Sequence, residues 1–131
     1  MCISRERIKI TSIDHLGEPE KINIDVPCGR CYQCNNSKRT AWTFRMMEHM
    51  KDFPLAHFVT LTYNDENLIY GKNGTTLYYR DFQLYIKRLR KSVALPISYF
   101  ACGEYSPQQR PHYHAIIFNA ERQKIHDAWN G

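Results

Sequence analysis

The chain has 131 residues, a net charge of +5 at neutral pH and a pI near 9.0. This length allows one domain with a real hydrophobic core, and the charge favours a polyanionic partner, with nucleic acid as the first candidate. No apolar run approaches the roughly 18 residues that span a bilayer, and the charged start lacks the apolar core of a secretory signal, so we expect a cytoplasmic protein without a membrane partner.

The first 27 residues read as two extended segments. Isoleucine and valine alternate with polar residues in both, which is typical of strands with one covered face. Residues 14–19 contain glycine and proline and provide a turn between the segments. The pattern predicts a peripheral hairpin.

A compact cysteine knuckle follows the hairpin. Cys28, Cys31 and Cys34 have C-x2-C-x2-C spacing, and three thiolates at this spacing can wrap one Zn²⁺ whose fourth ligand comes from elsewhere. Cys2 is the favoured fourth ligand because an extended N-terminus could return beside the knuckle, and His15 is a weaker alternative. The chain has five cysteines in all, an odd number that disfavours a disulfide framework. The competing interpretation is three free thiols at a turn; the zinc site would be structural and would fasten the N-terminal strands to the first helix.

Two helices and a strand come next. A helix is predicted over residues 37–50, with Ser37 as its N-cap. Residues 57–63 are rich in β-branched and aromatic residues and predict a strand. A second helix is predicted over residues 80–93, where apolar residues recur at helical spacing.

The last third of the chain predicts two further strands and the start of a helix. Residues 97–102 form one strand, in which Cys102 is expected to be a small buried residue. Residues 103–111 connect it to an apolar strand that begins at His112, and residues 121–129 begin a helix.

This order of elements predicts an α+β protein with a central antiparallel sheet and helices packed on it. Residues 1–36 would be the N-terminal hairpin and cysteine knuckle, packed on the main domain. Residues 37–131 would be that main domain.

The pair His112 and His114 carries the most specific chemistry. Side chains alternate along a strand, so both imidazoles point to one face, about 6.6 Å apart along the backbone. Glu104 lies upstream and could supply an oxygen ligand if a loop shaped by Gly103 and Pro111 returns it to the histidines. A carboxylate and two imidazoles suit a divalent ion that also holds a phosphate. The alternative is two polar residues on a half-exposed strand face.

Basic side chains on the knuckle and the two helices are candidate contacts for DNA phosphates. For any one of them, a solvated helix face is the simpler interpretation. The candidates are Arg30, Lys38, Arg39, Arg45, Lys87, Arg88, Arg90 and Lys91.

Four stretches in this order resemble the HUH-type (His-hydrophobic-His) rolling-circle replication initiators, in particular the replication proteins of microviruses of the gokushovirus-like branch. The first is VPCGRCYQC at 26–34, with Trp42 and Arg45 after it. The others are FVTLTY at 58–63, DFQLYIKRLR at 81–90, and YFACGEY through RPHYH at 99–114.

The resemblance implies a fold, a site and an activity. The histidine pair would lie on a middle strand of an antiparallel sheet, with helices behind. His112 and His114 would hold Mn²⁺ or Mg²⁺, with Glu104 as third ligand. The activity would be site-specific nicking of single-stranded origin DNA during rolling-circle replication, through a tyrosine bonded to the 5′ phosphate. Viral origin DNA and host replication proteins would be the partners.

The chain departs from this family in its tyrosines. The family places the nucleophilic tyrosine on a helix after the histidine strand, but residues 119–131 contain none. We therefore expect the nucleophile beyond residue 131, and a front part of a longer initiator that binds metal and DNA without forming the covalent intermediate. Tyr113, between the histidines, points to the opposite face. The nine tyrosines are at positions 32, 63, 70, 78, 79, 85, 99, 105 and 113.

Two alternatives remain open. One is a non-catalytic module that binds single-stranded DNA with strong salt dependence. The other is a zinc-stabilised interaction protein whose histidines bind no metal. In that case, His114→Ala would leave divalent-metal affinity unchanged, whereas Cys31→Ser would unfold the chain.

Overall fold

The computed structural model describes residues 2–130, and their contacts divide the chain into two compact units, residues 1–48 and 49–131. The first unit is built on a hairpin. Strands β1 (Arg5–Ile13) and β2 (Pro19–Pro27) pair in antiparallel register with Ile10 opposite Ile22. The Asp14 carboxylate closes the turn by accepting backbone N–H bonds from residues 16 and 18 at 2.8 and 2.9 Å. The predicted hairpin is confirmed.

Helix α1 (Tyr32–Asp52) begins earlier than the sequence predicted. The backbone N–H of Asn35 already bonds to the carbonyl of Cys31, so the cysteine knuckle leads directly into the first turn. Ser37 is therefore inside the helix and not its N-cap; its hydroxyl donates to the carbonyl of Gln33 at 2.9 Å. The helix ends at Asp52, before Pro54, as predicted.

The second unit holds a three-stranded antiparallel sheet. Its strands are β3 (Ala56–Thr62), β6 (Ser98–Tyr105) and β7 (Pro111–Phe118), and they are ordered β3-β7-β6 with β7 in the middle. Between β3 and β6 come a 3₁₀ turn (Asp65–Asn67), the short hairpin β4 (Ile69–Gly71) and β5 (Gly74–Thr76), and helix α2 (Tyr79–Ser92). Helix α3 (Arg122–Asp127) follows β7.

The hydrophobic core lies on one face of this sheet. Tyr113 and Ile117 of β7 are buried there against Phe82 and Leu89 of α2, with residues of α3 in the same cluster. Because side chains alternate along a strand, the other positions of β7, including His112 and His114, belong to the opposite face. The predicted α+β class, with helices behind a central antiparallel sheet, is confirmed.

Two local predictions near the histidine strand are wrong. Strand β6 continues to Tyr105, so residues 103–105 are not part of a connecting loop. Cys102 is exposed and not buried, because its place in the alternation turns it away from the core. In the described part of the chain, no helix combines the length and apolar character needed to cross a membrane.

Candidate functional site

Three potential metal ligands meet on the open face of the sheet in residues 49–131. Glu104 of β6 is the direct pairing partner of His112 of β7. The Glu104 Oε2 atom lies 3.3 Å from His114 Nε2 and 3.9 Å from His112 Nε2. Adjacent ligands of an octahedral ion are about 3 Å apart when each bond is about 2.1 Å. The side chains therefore converge nearly as closely as one shared ion would require.

A tight connection between β6 and β7 sets this pairing. The backbone N–H of Ser106 bonds to the carbonyl of Arg110 at 3.0 Å, and the Ser106 hydroxyl accepts from the Arg110 N–H at 3.2 Å. The five residues 106–110 thus reverse the chain and return it in register. The spacing of eight between Glu104 and His112 follows from this turn and not from a long shaped loop.

Each histidine is oriented through its other ring nitrogen. His112 Nδ1 is 3.3 Å from the carbonyl of Arg110, and His114 Nδ1 is 3.0 Å from the Thr60 hydroxyl. A carbonyl only accepts hydrogen bonds, so His112 Nδ1 is the donor. In neutral His112, the Nε2 lone pair then faces the Glu104 carboxylate. Two negative ends pointed at each other are stable with a cation between them, and outer partners of this kind fix metal-binding imidazoles.

The site is open to solvent. The side chains of His112 and His114 are 16% and 28% exposed, and that of Glu104 is 60% exposed. The aromatic ring of Phe58, on β3, stacks on the His114 ring with centroids 5.4 Å apart and an angle of 20° between the planes. Phe58 itself is 69% exposed. A metal ion here would keep open positions beside an accessible aromatic surface.

Sequence reasoning missed Thr60 and Phe58 as members of this site. Both lie in the predicted strand over residues 57–63, but only the register between β3 and β7, with Thr60 opposite His114, brings them to the histidines. Their alternation with buried Leu61 was a weak signal that both face away from the core.

The tyrosines on the strands of the three-stranded sheet give no nucleophile on the metal face. Tyr99, Tyr105 and Tyr113 occupy sheet positions that alternate to the other face. Burial raises the pKa of Tyr113 and, more strongly, that of Tyr63, which also packs near Asp81. A phenol held neutral in this way is a poor nucleophile.

The eight basic candidates have varied surroundings. Helix α2 packs on the core face, so its four members lie behind the sheet from the histidines, and Arg88 donates to the carbonyl of Ala128 at 2.7 Å. In residues 1–48, Arg30 pairs with Glu6 at 2.6 Å and Lys38 Nζ donates to the Gly29 carbonyl at 2.6 Å. Arg39 is exposed. The other contacts are Arg45 over the Trp42 ring at 5.1 Å and Arg90 over the Tyr99 ring at 5.9 Å.

A second cluster of potential ligands lies in residues 1–48. The sulfur atoms of Cys2, Cys28, Cys31 and Cys34 are all within 4.8 Å of one another. The backbone N–H of Cys34 is the main cause that lowers the pKa of the Cys31 thiol to about 6. The backbone hydrogen bond with Gly29 acts the same way on Cys34, but burial and the neighbouring thiols outweigh it and raise the pKa of Cys34 to about 12.

Fold and site together define a class of protein. It is an α+β domain that presents a His-x-His pair and a carboxylate on the open face of an antiparallel sheet, with the helices on the other face.

Comparison with known proteins gives the family. Residues 56–131 match the model of the replication-associated protein ORF2 family, and the chain belongs to this family. The resemblance to replication proteins of small phages is confirmed.

Two relatives extend the match toward the N-terminus. The replication-associated protein ORF2 of Spiroplasma virus 4 is 36% identical over 105 residues, which cover 75% of this chain and 33% of the relative. The replication-associated protein VP4 of Bdellovibrio phage phiMH2K is 32% identical over 109 residues, which cover 76% of this chain and 33% of the relative. The chain thus spans about a third of the length of these relatives. No solved structure matches it.

Proposed function

We propose that this chain acts in rolling-circle DNA replication, as the part of an initiator that binds metal and single-stranded origin DNA for nicking. The observation that carries the proposal is the convergence of Glu104, His112 and His114 on the open sheet face of a replication-associated protein. Mn²⁺ or Mg²⁺ suits the carboxylate and imidazole donors, and its chemistry would be to polarise a scissile phosphate.

The chain's own residues would do three things in this reaction. Glu104 and the two histidines hold the metal site in place. Thr60 and the carbonyl of Arg110 keep the Nε2 atoms of the histidines turned toward it. Phe58 offers its exposed ring to an unpaired base, a contact worth about 1–3 kcal/mol per stacked base.

The nicking step needs a nucleophile as well. A tyrosine oxygen would bond to the phosphorus while the bond from phosphorus to the 3′ oxygen breaks, and that oxygen would take up a proton. The protein–DNA bond keeps the phosphodiester energy for rejoining. Because no tyrosine on the described sheet strands β3, β6 and β7 lies on the metal face, we propose that the nucleophile is not supplied by residues 49–131.

The test combines binding with adduct formation. The protein is mixed with circular single-stranded DNA and Mn²⁺ or EDTA, and protein-linked DNA is sought after boiling in SDS. We expect Mn²⁺ to strengthen DNA binding without an adduct. An adduct that His112→Ala abolishes would show that one of these tyrosines is the nucleophile. DNA binding that ignores both Mn²⁺ and His112→Ala would reject the metal-dependent role and favour a plain single-strand-binding module.

A further inference from the structure

The four-cysteine cluster is spaced as a tetrahedral zinc site requires. The sulfur of Cys2 lies 3.6 Å from that of Cys28 and 3.7 Å from that of Cys31. Sulfur atoms bonded to one Zn²⁺ at about 2.3 Å form a tetrahedron with edges of about 3.8 Å. A disulfide would require about 2.05 Å. The arrangement therefore fits four ligands around one ion and not a pair of oxidised cysteines.

The backbone around the cluster stabilises negatively charged sulfur. The N–H of Cys28 donates to Cys2 Sγ at 3.5 Å, and the N–H of Cys31 donates to Cys28 Sγ at 3.4 Å. Gly29 makes the turn between them with a φ of +74°, a conformation that costs glycine little. Hydrogen bonds to ionised acceptors are the stronger kind, so these donors favour thiolates, the form that binds metal.

Residues 2–48 also need a stabiliser other than a hydrophobic core. Among them, Cys34 is the only buried residue. The β1–β2 hairpin is two-stranded, and an isolated hairpin of this kind is at best marginally stable in water. Small units with too little core commonly depend on a disulfide or a structural metal. The lack of a core and the presence of four converging thiols are independent observations that lead to the same answer.

We propose that Cys2, Cys28, Cys31 and Cys34 bind one Zn²⁺ as a closed, structural site. All four positions would be protein ligands, so no position is left for water or substrate. Each thiol that coordinates gives up its proton, and the ion joins the N-terminal segment and the end of β2 to the first turn of α1. This proposal does not depend on the replication role, because it involves none of the residues of the histidine site.

Cobalt substitution on the full chain tests the ligand set directly. Co²⁺ is added to metal-free protein, and we expect the sulfur-to-cobalt charge-transfer bands and the strong visible bands of tetrahedral thiolate coordination at one equivalent. Zn²⁺ should then displace them. The His114→Ala variant should give the same spectrum, because its histidine lies outside the cluster.

Two cysteine variants complete the test. Cys31→Ser should lose the charge-transfer bands, whereas Cys102→Ser, which changes the exposed cysteine of β6, should keep them. If Cys31→Ser fails to fold, the wild-type spectrum still decides. Absence of thiolate bands in wild-type protein, or four cysteines of residues 2–34 that remain freely reactive toward a thiol reagent in the presence of Zn²⁺, would overturn the proposal.

Discussion

The Thr60 hydroxyl lies 3.0 Å from Nδ1 of His114 and sits on the neighbouring strand directly opposite it. This contact turns the other nitrogen of His114 toward Glu104, at 3.3 Å. A residue that never touches the metal therefore determines whether the imidazole can bind it.

Thr60→Val should weaken Mn²⁺ binding by about 10-fold or more, in the range typical for losing an outer partner of a metal ligand. Valine has the same shape and suits a strand, so the fold should persist. Mn²⁺ affinity is measured by electron paramagnetic resonance. Thr62→Val is the matched control, because Thr62 is an exposed threonine on the same strand and face. Equal losses in the two variants would show that the Thr60 contact is not what orients His114.

Phe58→Ala should reduce affinity for single-stranded DNA by about 10-fold, since a stacked base is worth about 1–3 kcal/mol. Fluorescence anisotropy at fixed salt measures this, with Mn²⁺ present. Phe44→Ala removes another exposed phenylalanine, one that lies on α1, and should change affinity little. Unchanged affinity in Phe58→Ala would mean that no base stacks there.

The core should respond to substitution on one side of α2 only. Leu89 is fully buried, whereas Leu84 on the same helix is 36% exposed. Leu89→Ala should lower the free energy of unfolding by about 2–5 kcal/mol, and Leu84→Ala by about 0.5 kcal/mol or less. Urea unfolding followed by circular dichroism compares them, and similar losses would contradict the assignment of the core face.

Stability should fall at alkaline pH because of Tyr85. Burial raises its pKa from 10.0 to about 12. A folded-state pKa above the unfolded one means that the stabilising effect is complete below pH 10 and is lost as pH rises toward 12. The Tyr85 hydroxyl is buried with no hydrogen-bond partner among the described residues, so Tyr85→Phe should cost little at neutral pH.

Thermal unfolding from pH 8 to 11 measures this effect. The Tyr85→Phe variant should lose less stability over that interval than the wild type. Parallel curves would show that Tyr85 ionises normally in the folded chain.

The sequence predicted the α+β class, the hairpin and the shared face of His112 and His114, because these follow from alternation and helical spacing. It did not place Glu104 correctly, since pairing across a hairpin depends on the turn at residues 106–110 and not on strand propensity. The error at Ser37 has a similar origin. A serine before a periodic segment is typical of an N-cap, but the knuckle already starts the helix at Tyr32.

The exposed position of Cys102 could not be predicted from its residue type either, because cysteine is usually buried. Its place in β6 follows from the pairing with His114. Long-range register therefore decides most of what surrounds the site, including Thr60 and Phe58.

The central claim is that Glu104, His112 and His114 form a metal site that holds single-stranded DNA. The most direct measurement is the affinity for single-stranded DNA with Mn²⁺ and with EDTA, in wild-type protein and in His114→Ala, with His126→Ala as control for an exposed histidine elsewhere. We expect Mn²⁺ to tighten binding in the wild type and in His126→Ala but not in His114→Ala. The same dependence on Mn²⁺ in all three proteins, or none in any, would contradict the account.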